Sequence, residues 1–133
     1  MLRIASLIAV LACSECARGA DLPPDVEIER LLVGRWSERD MEEGGSLTTT
    51  TTFARGGGWS SEVVIAKGER KTTIKLSGQW RVREKVLITT VENSNVDSIP
   101  AGTSSEEKLL ELDKKACRYR DEDGKEHTRT RVE

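Results

Sequence analysis

The sequence predicts an all-β fold, an eight-stranded antiparallel up-and-down barrel with one short helix ahead of it. Three observations carry that expectation. From Gly34 onward the apolar residues recur with a period of two rather than the helical 3.6. Turn residues divide that stretch into eight runs of strand length. Every connection but one is short, so each strand is placed to pair with the next. Closing such a meander on itself removes both exposed sheet edges, which favours a barrel over a two-sheet sandwich.

The chain has 133 residues, 33% charged and 36% apolar, with a mean hydropathy of −0.49. That suits a folded domain and not a bundle of membrane helices. Residues 1–19 read as an export signal: Arg3 gives a positive start, and an uncharged apolar run from Ile4 to Ala12 has signal length rather than membrane-spanning length. Two cleavage sites compete. Small residues at Ala17 and Gly19 point to a mature chain beginning at Ala20. Val10-Leu11-Ala12 before Cys13 resembles a bacterial lipobox, which would leave Cys13 as a lipid anchor with Ser14 behind it, as in lipoproteins sorted to the outer membrane. Localisation is therefore periplasmic or secreted, or else lipid-anchored at the outer membrane. In the first case Cys117 is left as a lone thiol, expected to be buried; in the second, Cys16 and Cys117 both survive and can pair. Without the signal, 19 basic residues face 22 acidic ones, a balance that does not call for nucleic acid.

Residues 20–33 read as a linker and short helix. Pro23-Pro24 stiffens the approach, Asp25 is placed as an N-cap, Ile28, Leu31 and Leu32 recur at helical spacing, and Gly34 stops the run. The helix is expected to serve as a lid or plug. Residues 34–133 form the barrel domain. The strongest strand spans 72–83, where Ile74, Leu76, Gly78, Trp80 and Val82 alternate with polar residues; Gly78 on the dry face marks a bend or bulge. Before it, Trp59, Ser61, Val63 and Ile65 alternate and turn through Gly68. After it, Glu84-Lys85 is a tight turn into 86–91. The other strands are placed at 35–40, 47–54, 108–113, 116–121 and 125–132. The one long connection is 92–105.

These residues resemble the bacterial lipocalin-like domains of the calycin group. The resemblance rests on Leu32-Val33-Gly34-Arg35-Trp36, Thr52-Phe53 with Trp59, Gly78-Gln79-Trp80-Arg81-Val82 with Leu87 to Thr90, and the closing run from Gly124 to Val132. It implies a calycin barrel in which the tryptophan after Gly34 lies across the floor and packs on an arginine of the last strand. Trp36 and Arg131 fill those roles, with Arg129, on the same face, as the alternative. Such a pair is structural: a guanidinium stacked on an indole keeps its charge hydrogen-bonded to chain ends while closing the floor.

Enzyme chemistry is not expected, because a hydrolytic triad needs a base and the single histidine, His127, falls in a charged hairpin and reads as exposed. Haem ligation by His127 lacks a second polar anchor. Asp121-Glu122-Asp123-Gly124 fits a hairpin turn better than a calcium loop. Arg55-Gly56-Gly57-Gly58 precedes a strand and not the helix a phosphate cradle needs. No metal and no cofactor are expected. The candidate interior includes Trp36, Phe53, Trp59, Val63, Ile65, Ile74, Leu76, Trp80, Val82, Leu87, Val91, Leu110 and Leu112, with Thr49, Thr51 and Thr89. The expected function is a non-enzymatic exported protein that binds a small apolar or amphipathic molecule in or at the mouth of the barrel opposite Trp36. Trp59 and Trp80 are its ligand-facing aromatics, and the 92–105 loop is a lid. The alternative is a filled barrel acting as a cell-envelope interaction module or secreted-protease inhibitor through the helix and its Pro23-Pro24 tether.

Overall fold

The structure, a computed structural model, describes residues 22–132; the export signal, both cleavage readings, Cys13 and Cys16 lie outside the described residues. Among the described residues, helix α1 (Asp25–Leu32) precedes β1 (Gly34–Glu42), β2 (Gly45–Phe53), β3 (Gly58–Lys67), β4 (Arg70–Arg83), β5 (Val86–Ser94), β6 (Ser104–Leu112), β7 (Ala116–Arg120) and β8 (Glu126–Val132). The strands pair in sequence order and β8 closes on β1, giving a closed antiparallel barrel of eight strands. The closing ladder pairs Arg35 with Val132, Trp36 with Arg131 and Ser37 with Thr130.

Up-and-down order divides the connections between two ends. The β2–β3, β4–β5 and β6–β7 turns lie at the end where α1 enters, and the β1–β2, β3–β4, β5–β6 and β7–β8 connections lie at the other. Helix α1 plugs the first end, because Ile28 and Leu32, four residues apart on one face, are both 0% exposed in the core. Asp25 departs from the N-cap expected of it. Pro24 holds that position and gives no side-chain cap, while the Asp25 carboxylate accepts from the backbone N–H groups of Glu84 at 2.7 Å and Lys85 at 3.1 Å. Glu84 and Lys85 both have positive φ, 53° and 67°, as a two-residue hairpin turn requires. That turn aims two free N–H groups at the helix start, and the carboxylate goes where donors are closest. Glu29 adds a second tie by accepting from the Val82 N–H at 3.1 Å.

The bend at Gly78 is present: the β4–β5 register shifts between Ser77 and Gly78. A side chain there would run into the Thr90 carbonyl, so β5 can approach only a glycine. On β6 a second register shift, between Leu109 and Glu111, corrects the expected interior. Leu109, not Leu110, is buried in the core. The extra residue of the bulge turns Leu110 outward, toward Leu22. The long connection is shorter than expected, since β5 continues to Ser94 and β6 begins at Ser104. It is also fastened down. Asn95 accepts from the Lys75 N–H at 2.9 Å and donates to the Thr73 carbonyl at 3.1 Å, and Ile99 packs against the core.

Candidate functional site: a charged chamber inside the barrel

The floor at the α1 end is built around Trp36, which is fully buried and donates its indole N–H to the Leu32 carbonyl at 2.8 Å. Arg131 lies over that indole with its guanidinium carbon 4.4 Å from the ring. It donates to three carbonyls: Lys114 at 2.6 Å, Val33 at 3.0 Å and Leu31. One planar cation thus joins the helix end, the β6–β7 turn and the ring beneath it. Gly34, at φ +135°, leaves the space the guanidinium occupies; any Cβ there would collide with it. Trp80 belongs to this end as well. It packs on Phe53 with ring centroids 5.1 Å apart and donates to the Ala54 carbonyl at 3.0 Å. Its exposed side borders a groove formed by Val26, Glu29, Arg30 and the glycines of the β2–β3 turn.

Above the floor, all eight strands line a chamber of about 350 Å³ that includes Phe53, Trp59, Leu76 and Leu87. The structure therefore separates the two tryptophans expected at the mouth: Trp59 lines the chamber, and Trp80 does not. Thr49, Thr51, Ser61, Thr89 and Ser105 contribute hydroxyls to the wall, paired as Thr51 with Ser61 at 3.2 Å and Thr89 with Ser105 at 2.9 Å.

The chamber also holds charge, which the sequence reading did not expect. Glu38, Asp40, Glu107, Asp121, His127 and Arg129 all face it. Arg129 is 7% exposed. Its guanidinium lies 4.1 Å from the Tyr119 ring centre and places Nη2 2.9 and 3.1 Å from the two Glu107 carboxylate oxygens. Only the longer contact is aligned as a hydrogen bond, so Glu107 Oε1 and Arg129 Nη1 stay buried without hydrogen-bond partners. Burial works against the charge on Arg129, but the surrounding carboxylates, Glu107 foremost, outweigh it and raise its pKa.

His127 corrects the expectation of an exposed imidazole. Its side chain is 14% exposed and stacks on Tyr119 at 5.1 Å, its partner across the β7–β8 ladder. Nδ1 lies 3.0 Å from Glu38 Oε2 and 4.0 Å from Asp40 Oδ1, and Nε2 lies 2.6 Å from Asp121 Oδ2. His127 shares the inward face with Arg129 and Arg131, so strand parity and not local charge decides where it points. Glu38 also accepts from the Tyr119 hydroxyl. Burial raises the Glu38 pKa, partly offset by that hydrogen bond and by the Arg129 charge. The His127 hydrogen bond and the Lys125 and Asp123 backbone N–H groups hold the Asp121 carboxyl below its ordinary value. The Tyr119 hydroxyl is pushed up by burial.

The missed residues had a signal. Glu38 and Asp40 continue the period-two face begun by Trp36, and the charged residues on that face read as a wet surface only because an apolar interior is assumed.

No protein-family model matches this chain, and no curated protein matches it in sequence. The class is defined by the fold: a closed, eight-stranded antiparallel barrel with a plugging helix, which fits a lipocalin-like calycin barrel.

Proposed function

We propose that this protein is a non-enzymatic, exported, lipocalin-like carrier that holds one small amphipathic molecule in its barrel. The chamber carries this reading. Its volume, about 350 Å³, is at the low end of small-molecule sites, and its lining is divided in chemistry. Phe53, Trp59 and Leu87 offer an apolar surface, while Glu38, Asp40 and Asp121 offer acceptors. A purely apolar cargo would strip water from those carboxylates without replacing its hydrogen bonds, which is costly. A molecule with an apolar body and a cationic or hydrogen-bond-donating head matches both parts.

Native mass spectrometry of protein recovered from its source, followed by the denatured mass, tests this directly. Excess mass only in the native spectrum supports a cargo, and the denatured mass also reports the N-terminus and any lipid. Titration with a panel of amphipathic amines should change tryptophan emission. Trp59→Phe should lose that response and Trp80→Phe should keep it; bare mass together with no response from the panel would sink the proposal.

One observation favours the second reading, an envelope interaction module or protease inhibitor. The groove between α1 and the β2–β3 turn is bordered by Val26, which is 59% exposed. Removing α1 would be a poor test, because Ile28 and Leu32 plug the barrel. Val26→Asp leaves that plug intact and should abolish capture of a partner if the groove is the contact.

A further inference from the structure

We propose that the chamber wall is a divalent transition-metal site, with His127 Nδ1, Glu38 and Asp40 as its ligands. One imidazole nitrogen and a carboxylate oxygen from each acid lie within 4.8 Å of one another. The ligand-to-ligand edge of a tetrahedral zinc site with bonds of about 2.1 Å is about 3.4 Å. The Nδ1–Oε2 separation of 3.0 Å and the Nδ1–Oδ1 separation of 4.0 Å lie on either side of that length, so small side-chain rotations complete the triad.

The surroundings match what such ligands need. Asp121, an acceptor held by backbone N–H groups, faces Nε2 at 2.6 Å. With a cation on Nδ1, which faces Glu38 and Asp40, the ring N–H sits on Nε2, where Asp121 accepts it. The Tyr119 hydroxyl orients Glu38 through its other oxygen.

Two observations outside the triad point the same way. The chamber brings four carboxylates, Glu38, Asp40, Glu107 and Asp121, against one guanidinium and one imidazole, an excess of negative charge that a divalent cation offsets. Arg129, nine-tenths buried with Nη1 unpartnered, has its Nε 3.9 Å from Glu38. It lines the chamber with the triad and leaves a guanidinium N–H without a protein acceptor, a donor suited to an anionic oxygen bound beside the cation. Imidazole with two carboxylates favours zinc, cobalt or iron(II) over calcium. The triad takes two of the acceptors offered to a cargo head, Glu38 and Asp40, so a bound cation and a cationic head exclude each other there, and titration of cargo-free protein tests the triad by itself.

The test is titration of the tag-free chain with Zn²⁺ alone, followed by calorimetry and by imidazole ¹⁵N resonances. His127 is the only histidine, so those resonances need no assignment and distinguish this site from binding at cysteine thiols. The expected result is one equivalent of Zn²⁺, a large shift at Nδ1 with Nε2 still protonated, and tetrahedral or five-coordinate absorption bands with Co²⁺. Asp40→Asn should weaken binding roughly 10- to 100-fold, and Asp121→Asn, acting through the imidazole, by a similar factor. His127→Ala should abolish the Nδ1-dependent site. If that variant does not fold, Asp40→Asn, altering a half-exposed side chain at the mouth, decides in its place. No saturable binding, coordination through Nε2, or undiminished affinity in Asp40→Asn would each overturn the proposal.

Discussion

Gly34 and Arg131 show how closely two distant residues can depend on each other. The guanidinium reaches its carbonyls only across the space a side chain at position 34 would fill, and Gly34 sits at φ +135°. Gly34→Ala therefore meets both backbone strain and a collision, and should cost roughly 2–4 kcal/mol in chemical denaturation. Gly44→Ala, at φ +82° with open space around it, should cost about 1 kcal/mol, as left-handed strain without a collision. Arg131→Lys keeps the charge but cannot span three carbonyls or stack flat on Trp36, so it should recover little of the stability lost in Arg131→Ala. Cys117 is another residue governed by its surroundings: fully buried, its thiol is pushed up to about 11 by loss of solvent. At mildly alkaline pH its thiolate fraction is about 100-fold below that of an ordinary thiol. Native protein exposed to a maleimide should stay unmodified at Cys117 until denaturant is added, as peptide mapping will show.

At the scale of elements, α1 has eight residues, too few to be stable by itself, and its stability comes from what it covers. Leu32→Ala removes a fully buried side chain from the floor and should destabilise by about 2–5 kcal/mol. The helix start answers to pH through Asp25, whose pKa is lowered by the Glu84 and Lys85 backbone N–H groups. Because its folded value lies below the unfolded one, the stabilisation is complete above the unfolded value and is lost as pH falls through the folded one. Wild type should thus melt above Asp25→Ala at neutral pH, with the gap closing in acid; a gap independent of pH would show that the carboxylate charge is not what ties α1 to the turn.

Eight strands, their order and the bend at Gly78 were legible, because alternation, turn residues and a glycine on a dry face are local signals. The partner of Asp25 and the bulge at Leu109–Glu111 were not. The first depends on a turn 59 residues away, and the second on how β6 meets β7.

Across the whole molecule, barrel closure gathers ionisable side chains from six separate positions into one interior. Removing half of a buried ion pair leaves the other half stranded, whereas replacing both by apolar groups can be nearly neutral. Arg129→Met should cost about 3–5 kcal/mol, and the double variant Glu107→Leu with Arg129→Met should be more stable than Arg129→Met. A double-mutant cycle in urea measures the coupling. If the two changes simply add, the pair is not a unit and the chamber is wetter than its burial indicates.

The sequence by itself determined that there are eight strands, that they run up and down in order, and that a helix stands before them, since periodicity and turn chemistry act within a few residues. It also paired Trp36 with an arginine of the last strand, through a family resemblance. Only the tertiary structure decided that Trp59 and not Trp80 faces the chamber, that the single histidine is inside, and that the interior carries acids. A charged residue on a strand has the same local signature whether its face meets water or a chamber. Which face is enclosed is settled only when β8 closes on β1.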